Sequence, residues 1–228
     1  MPMTSRTAWA LCAAAGAAVI GITLLMGSVE GAQACDGVRS PGAMIRFEWV
    51  RTPSDVQALF GEEPCRSQLA AAMDGMNRID VAAFIPAFTL FQLFAAWALR
   101  GCGRRLAVGV AAAAIVAALC DWGEDSLLFA ITAALPGEQA QIGTLFWLVR
   151  AKFALLALAG GGLGLLLART GGVSRWLGFA MIAGAAVAFA GLAAPRLLGA
   201  GIGLAWTALL AAAVLHMLRG TRGAAATG

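Results

Sequence analysis

Apolar residues in this chain come in six long blocks separated by short polar breaks. The blocks run over residues 9–26, 79–99, 106–135, 141–168, 176–194 and 197–218. A membrane-crossing helix needs about 20 mainly apolar residues. The pattern therefore predicts an all-α, polytopic transmembrane helix bundle of six spans, one membrane domain over residues 1–228. Residues 28–78 form the one long hydrophilic stretch and read as a helical insert between spans 1 and 2. Within it, Thr52-Pro53-Ser54-Asp55 starts a short helix: a capping hydroxyl, a proline at the first turn and an acid at the positive helix end. Gly61 stops that helix, and Pro64 opens the next, which runs through Met73 and Met76 into the second span. Phe47 and Trp49 point to an insert that lies as a layer on the membrane surface. Pro86 predicts a kink in the second span, Pro136-Gly137 a turn after the third, and Pro195 the end of the fifth.

The first block admits a second reading. Ala32-Gln33-Ala34 ahead of Cys35 resembles a signal-peptide cleavage site, but the apolar run is longer than the usual h-region of about 7–15 residues. A retained anchor is the favoured reading. Composition agrees with a membrane setting: 61% of the 228 residues are hydrophobic and 12% charged, where a soluble domain carries about a quarter charged.

Charge then sets the orientation. Arg6, the Arg100/Arg104/Arg105 group, Arg169 with Arg175, and Arg219 with Arg222 alternate along the chain with short loops nearly free of basic residues. The positive-inside rule places those ends in the cytoplasm. The expected arrangement is thus multi-pass, with both termini cytoplasmic and the insert periplasmic or extracellular. The lipid bilayer is the expected partner. Basic residues scattered at helix ends do not make a nucleic-acid surface.

Ionisable residues within the spans need an explanation, because a bare charge in the bilayer is costly. Asp80, Asp121, Glu124, Asp125, Arg150 and Lys152 stand 15 to 19 residues from the inner ends of their spans. At 1.5 Å per residue that is roughly 22–29 Å, in the outer third of a core about 30 Å thick. Arg196 caps the fifth span near the same level. Asp121, Glu124 and Asp125 share one helix face by their i, i+3, i+4 spacing. No acid follows Glu138, so the cations of the fourth span must find partners on earlier helices. The expected pairing is Arg150 with Asp121 or Glu124, with Asp80 facing the same cluster and Lys152 turned to another side.

Other signals are weaker. Cys35 and Cys65 fall in the insert and can bridge if it faces an oxidising compartment; otherwise they stand as two thiols. No CxxC pair occurs and there is one histidine, so no metal or cofactor is implied. Gly160-Gly161-Gly162 and Gly164 lie in an apolar helix with no GK[ST] after them. They read as packing positions, as do Gly199, Gly201 and Gly203. Trp9, Trp97 and Trp176 at one level, and Trp122 and Trp147 at the other, match aromatic belts. His216 reads as an interfacial residue, with no acid near it to build a catalytic triad.

Three short segments carry a resemblance: Phe47-Glu48-Trp49 followed by Thr52-Pro53; Asp80 before Phe84 and Phe88; and Asp121 followed by Glu124-Asp125. Over roughly residues 45–130 the chain is similar to uncharacterised bacterial multi-pass membrane proteins with an Asp-x-x-Glu-Asn/Asp motif in a middle helix. The resemblance implies a bacterial membrane location and supplies no activity. The expected function is a non-enzymatic structural or accessory membrane protein with a buried ion-pair layer. The alternative is a small proton- or cation-linked transporter using the same layer. A membrane enzyme with paired carboxylates ranks behind both.

Overall fold

The computed structural model describes residues 5–38 and 42–225. Helices account for the regular structure among them: α1 (Ser5–Gly27), α2 (Ala43–Glu48), α3 (Pro53–Phe60), α4 (Cys65–Ile79), α5 (Ile85–Leu99), α6 (Arg104–Ala133), α7 (Gln139–Ala168), α8 (Gly172–Ala190) and α9 (Leu198–Ala225). Among the described residues, six helical stretches are long and apolar enough to cross a membrane: Ser5–Gly27, Cys65–Cys102, Arg104–Ala133, Gln139–Ala168, Gly172–Ala190 and Pro195–Arg219. The fold is an all-α helical bundle.

The second of these stretches is one continuous helix of 38 residues, roughly 57 Å long at 1.5 Å per residue. That is about twice the hydrocarbon core, so α4 belongs as much to the insert as to the span. Pro86 does not break it. Asp80–Phe84, ending two residues before Pro86, form a π-helical turn. A wider turn beside proline absorbs the missing N–H without opening the helix.

The chain divides into two compact units. The first comprises residues 21–86 and 118–152; the second comprises residues 1–20, 87–117 and 153–228.

In the first unit the insert has a core of its own. Phe47 and Phe60 are fully buried and meet edge to face, with ring centroids 5.0 Å apart. Val56, Leu59, Leu69 and Met73 are buried as well. Phe47 thus points into the insert's own core and not outward to a lipid surface. Helix α3 begins with a full capping box, in which Thr52 Oγ1 accepts from the Asp55 N–H at 3.2 Å and Asp55 Oδ2 accepts from the Thr52 N–H at 2.9 Å. Cys35 and Cys65 are joined by a disulfide. Gly61 (φ +57°) passes so close to Cys35 that a Cβ there would lie 2.8 Å from that of Cys35. Only glycine suits that position. Asp36 forms an ion pair with Arg46, and the Arg46 guanidinium holds the Asp36 carboxyl down at about 2.

The second unit packs through small residues. A Cβ on Gly164 would meet the Gly178 carbonyl at 2.7 Å, and one on Gly184 would meet the Gly201 carbonyl and the Ala205 nitrogen at 2.7 Å. Helices α7, α8 and α9 thus touch backbone to backbone. Gly160 makes only ordinary contacts, and Gly199 and Gly203 have open space beside them, so those two do not serve as packing positions. Trp9 is buried, stacked on His216 at 4.7 Å, and does not belong to an exposed belt. Trp97, Trp122, Trp147 and Trp176 are exposed.

Candidate buried ionic cluster

Four elements of the first unit bring their ionisable residues together. Helix α6 contributes Asp121, Glu124 and Asp125, one face of a single turn. Helix α7 contributes Lys152, the π-turn contributes Asp80, and α2 of the insert contributes Glu48. All six are buried, none more than 7% exposed.

Lys152 is the hub. Its Nζ lies 2.9 Å from Asp121 Oδ1, 2.8 Å from Glu124 Oε2 and 3.6 Å from Glu48 Oε1. An ammonium is a compact point charge with three rotatable donors, one for each of the three carboxylates. Lys152 is the one lysine in a chain with fifteen arginines. The chain spends its only compact cation here.

The expected Arg150 pairing is corrected. Residues 150 and 152 are two apart on α7, about 200° around the helix, so only one of them can face α6. Arg150 stacks instead on Phe146, 3.4 Å from the ring centroid, and lies 5.4 Å from that of Trp49. Its Nη1 donates to the Phe146 carbonyl at 3.0 Å. The aromatic faces take the place that a carboxylate was expected to fill. Arg196 is exposed and belongs to the other unit.

Glu48 is the member that sequence reasoning left out. It ends α2, outside the spans, where no count of helix depth reaches it. Burial pushes its carboxyl up from the ordinary range, with the Lys152 charge pulling the other way. Burial of Phe47 next to it draws the end of α2 inward.

Helices α4 and α6 run antiparallel here. Thr132 Oγ1 donates to Asp74 Oδ1 at 2.6 Å, and Trp122 Nε1 donates to the Val81 carbonyl at 3.3 Å. Between those two ties lie Asn77 and Asp80 on one helix and Asp125 on the other. Asn77 is fully buried, and among the described residues neither its amide nitrogen nor its oxygen has a hydrogen-bond partner. Asp80 Oδ1 and both carboxylate oxygens of Asp125 are in the same condition.

The other unit holds a Ser174–His216 hydrogen bond of 3.0 Å. Its residue ranges contain no Asp or Glu, so this pair has no third member with which to act as a nucleophile and base. Among the described residues no group of three or more His, Cys, Asp and Glu side chains is set to hold a metal ion. Compared with protein-family models, with curated proteins and with solved structures, the chain matches none.

Proposed function

We propose that the chain is a non-enzymatic, multi-pass protein of a bacterial cytoplasmic membrane whose ionic cluster fastens an external helical cap to its spans. Both termini lie in the cytoplasm in this reading, supported by the arginine distribution. Resemblance to uncharacterised bacterial membrane proteins supports the same setting. The observation that carries the reading is the position of Lys152: one ammonium on α7 stands within 4 Å of carboxylates on α6 and on α2 of the insert. A buried cation shared by three elements holds them in one register, and its loss leaves uncompensated charge.

The test is hydrogen exchange on the purified protein. Lys152→Met should remove protection from residues 43–60 while the Cys35–Cys65 bond stays closed. Unchanged protection there would dismiss the fastening role. Reporter fusions after Arg105 and Arg175 should read cytoplasmic, and one after Glu138 external; the reverse pattern would overturn the orientation.

A second reading, a small proton- or cation-linked transporter, is favoured by one observation. Five buried carboxylates (Glu48, Asp80, Asp121, Glu124 and Asp125) accompany a single buried ammonium, and only three of them lie within 4 Å of it. An ion pair that served packing alone would need no such excess. A pH- or sodium-gradient-driven flux in liposomes, lost in Asp125→Asn, would establish it.

A further inference from the structure

We propose that Asp80 and Asp125, with the amide of Asn77, form a binding site for one small monovalent cation, a proton or an alkali ion, distinct from the Lys152 pin. The site deepens the transporter reading, but it is tested by binding rather than flux, so the two can fail separately.

Other acids already stand around the donors of Lys152. An ammonium has three donors, and three carboxylates, Asp121, Glu124 and Glu48, stand around it. Asp125 is outside those ion pairs, and neither of its oxygens accepts a hydrogen bond. Asp80 and Asp125 face each other across the antiparallel stretch that the Thr132–Asp74 and Trp122–Val81 hydrogen bonds bracket. Two carboxylates brought together in a low-dielectric interior cannot both stay ionised without a positive charge between them. Asn77 is the independent observation. It lies three residues before Asp80, on the same helix face, and inside the stretch where α4 runs against Asp125. A buried amide is costly to leave with both ends unpartnered, and this one has a carbonyl oxygen free to ligate a cation.

The chemistry selects the occupant. Every donor atom offered is oxygen, which favours hard cations over those that seek nitrogen or sulfur. Two carboxylates and a carbonyl fall short of the six to eight oxygens that calcium takes. One charge is what the pair lacks. A proton shared by the carboxylates and a desolvated alkali ion held by all three residues answer the same electrostatic need. The other charged groups packed around the site are Glu48 from α2, Asp121 and Glu124 from α6 and Lys152 from α7. Together they keep its field negative whichever cation is bound.

The experiment uses the full chain in lipid nanodiscs. In one arm, infrared difference spectroscopy at neutral pH seeks a protonated carboxyl band; in the other, calorimetric titration with sodium, lithium or choline chloride seeks saturable binding. Either a band lost in both Asp80→Asn and Asp125→Asn, or sodium or lithium binding lost in both, is the expected result, and which arm responds identifies the cation. Asn77→Leu should weaken alkali binding by roughly tenfold, the worth of about 1.4 kcal/mol. Arg150→Ala, which touches none of these carboxylates, should leave the signal in place. A wild-type protein with neither band nor saturable binding overturns the proposal, and that measurement needs no variant to fold. So does a signal that persists in both aspartate variants, or one that follows magnesium or calcium instead.

Discussion

Lys152 Nζ lies 2.8 Å from Glu124 Oε2, while Arg150, two residues earlier on the same helix, meets an aromatic ring. The two cations were equivalent by depth and differ by direction. Their substitution should therefore separate cleanly. Lys152→Met strands several buried carboxylates and should cost about 3–5 kcal/mol, read as a lower melting temperature in detergent. Adding Asp121→Asn should restore part of it. Lys152→Arg should also lower the melting temperature, because the larger planar guanidinium must fit a space packed around an ammonium. Arg150→Ala loses stacking and should cost about 1 kcal/mol. Equal losses at the two positions would contradict the geometry.

Depth along a helix is legible in a sequence; direction around it is not, until the neighbours are known. That is why residue counting placed Asp80, Asp121, Glu124, Asp125 and Lys152 in one layer yet chose the wrong cation. The six long helices were legible because apolar runs of that length have few alternatives and Pro and Gly mark their breaks. Glu48 escaped for another reason. Its level depends on how the insert folds back, and this follows from burial of Phe47 against Phe60, a contact thirteen residues apart in sequence. The lone lysine among fifteen arginines was the signal available and unused.

The Cys35–Cys65 bond closes a loop of 30 residues. A cross-link of that span stabilises by roughly 3–4 kcal/mol through the unfolded chain. Cys35→Ser with Cys65→Ser should make the insert cleavable by protease at temperatures where the parent chain resists. Intact protein should not be alkylated at these two positions without reductant. Full labelling of both would show them to be thiols.

Gly184 and Gly199 offer a matched comparison. A methyl on Gly184 would strike backbone atoms of α9 at 2.7 Å, and one on Gly199 would meet nothing within 4 Å. Gly184→Ala should therefore cost about 1–3 kcal/mol by overpacking. Gly199→Ala should be neutral or slightly stabilising, since alanine is the better helix residue by about 0.5–1 kcal/mol. Thermal melts of the two variants should move in opposite directions or only the first should move.

Acid should act on the insert through Asp36. Its carboxyl is lowered from 3.8 to about 2, chiefly by the hydrogen bond from Arg46. A group whose folded value is depressed contributes stability above its unfolded value and loses it as pH falls through the folded one. The Arg46 tether should thus hold at pH 4 and fail progressively toward pH 2. Asp36→Asn should abolish that part of the acid response, followed by tryptophan fluorescence of Trp49. A parallel acid curve for the variant would assign the response elsewhere.

One lysine, deep in a carboxylate cage, gives the chain an unusual relation to amine chemistry. Apart from an α-amino terminus, no other primary amine is present for acylating labels, aldehyde fixatives or amine cross-linkers. An acylated Lys152 therefore records that the cage has opened, and the rate of acylation counts such openings. The protein carries its own reporter of breathing, at the position where its charges converge.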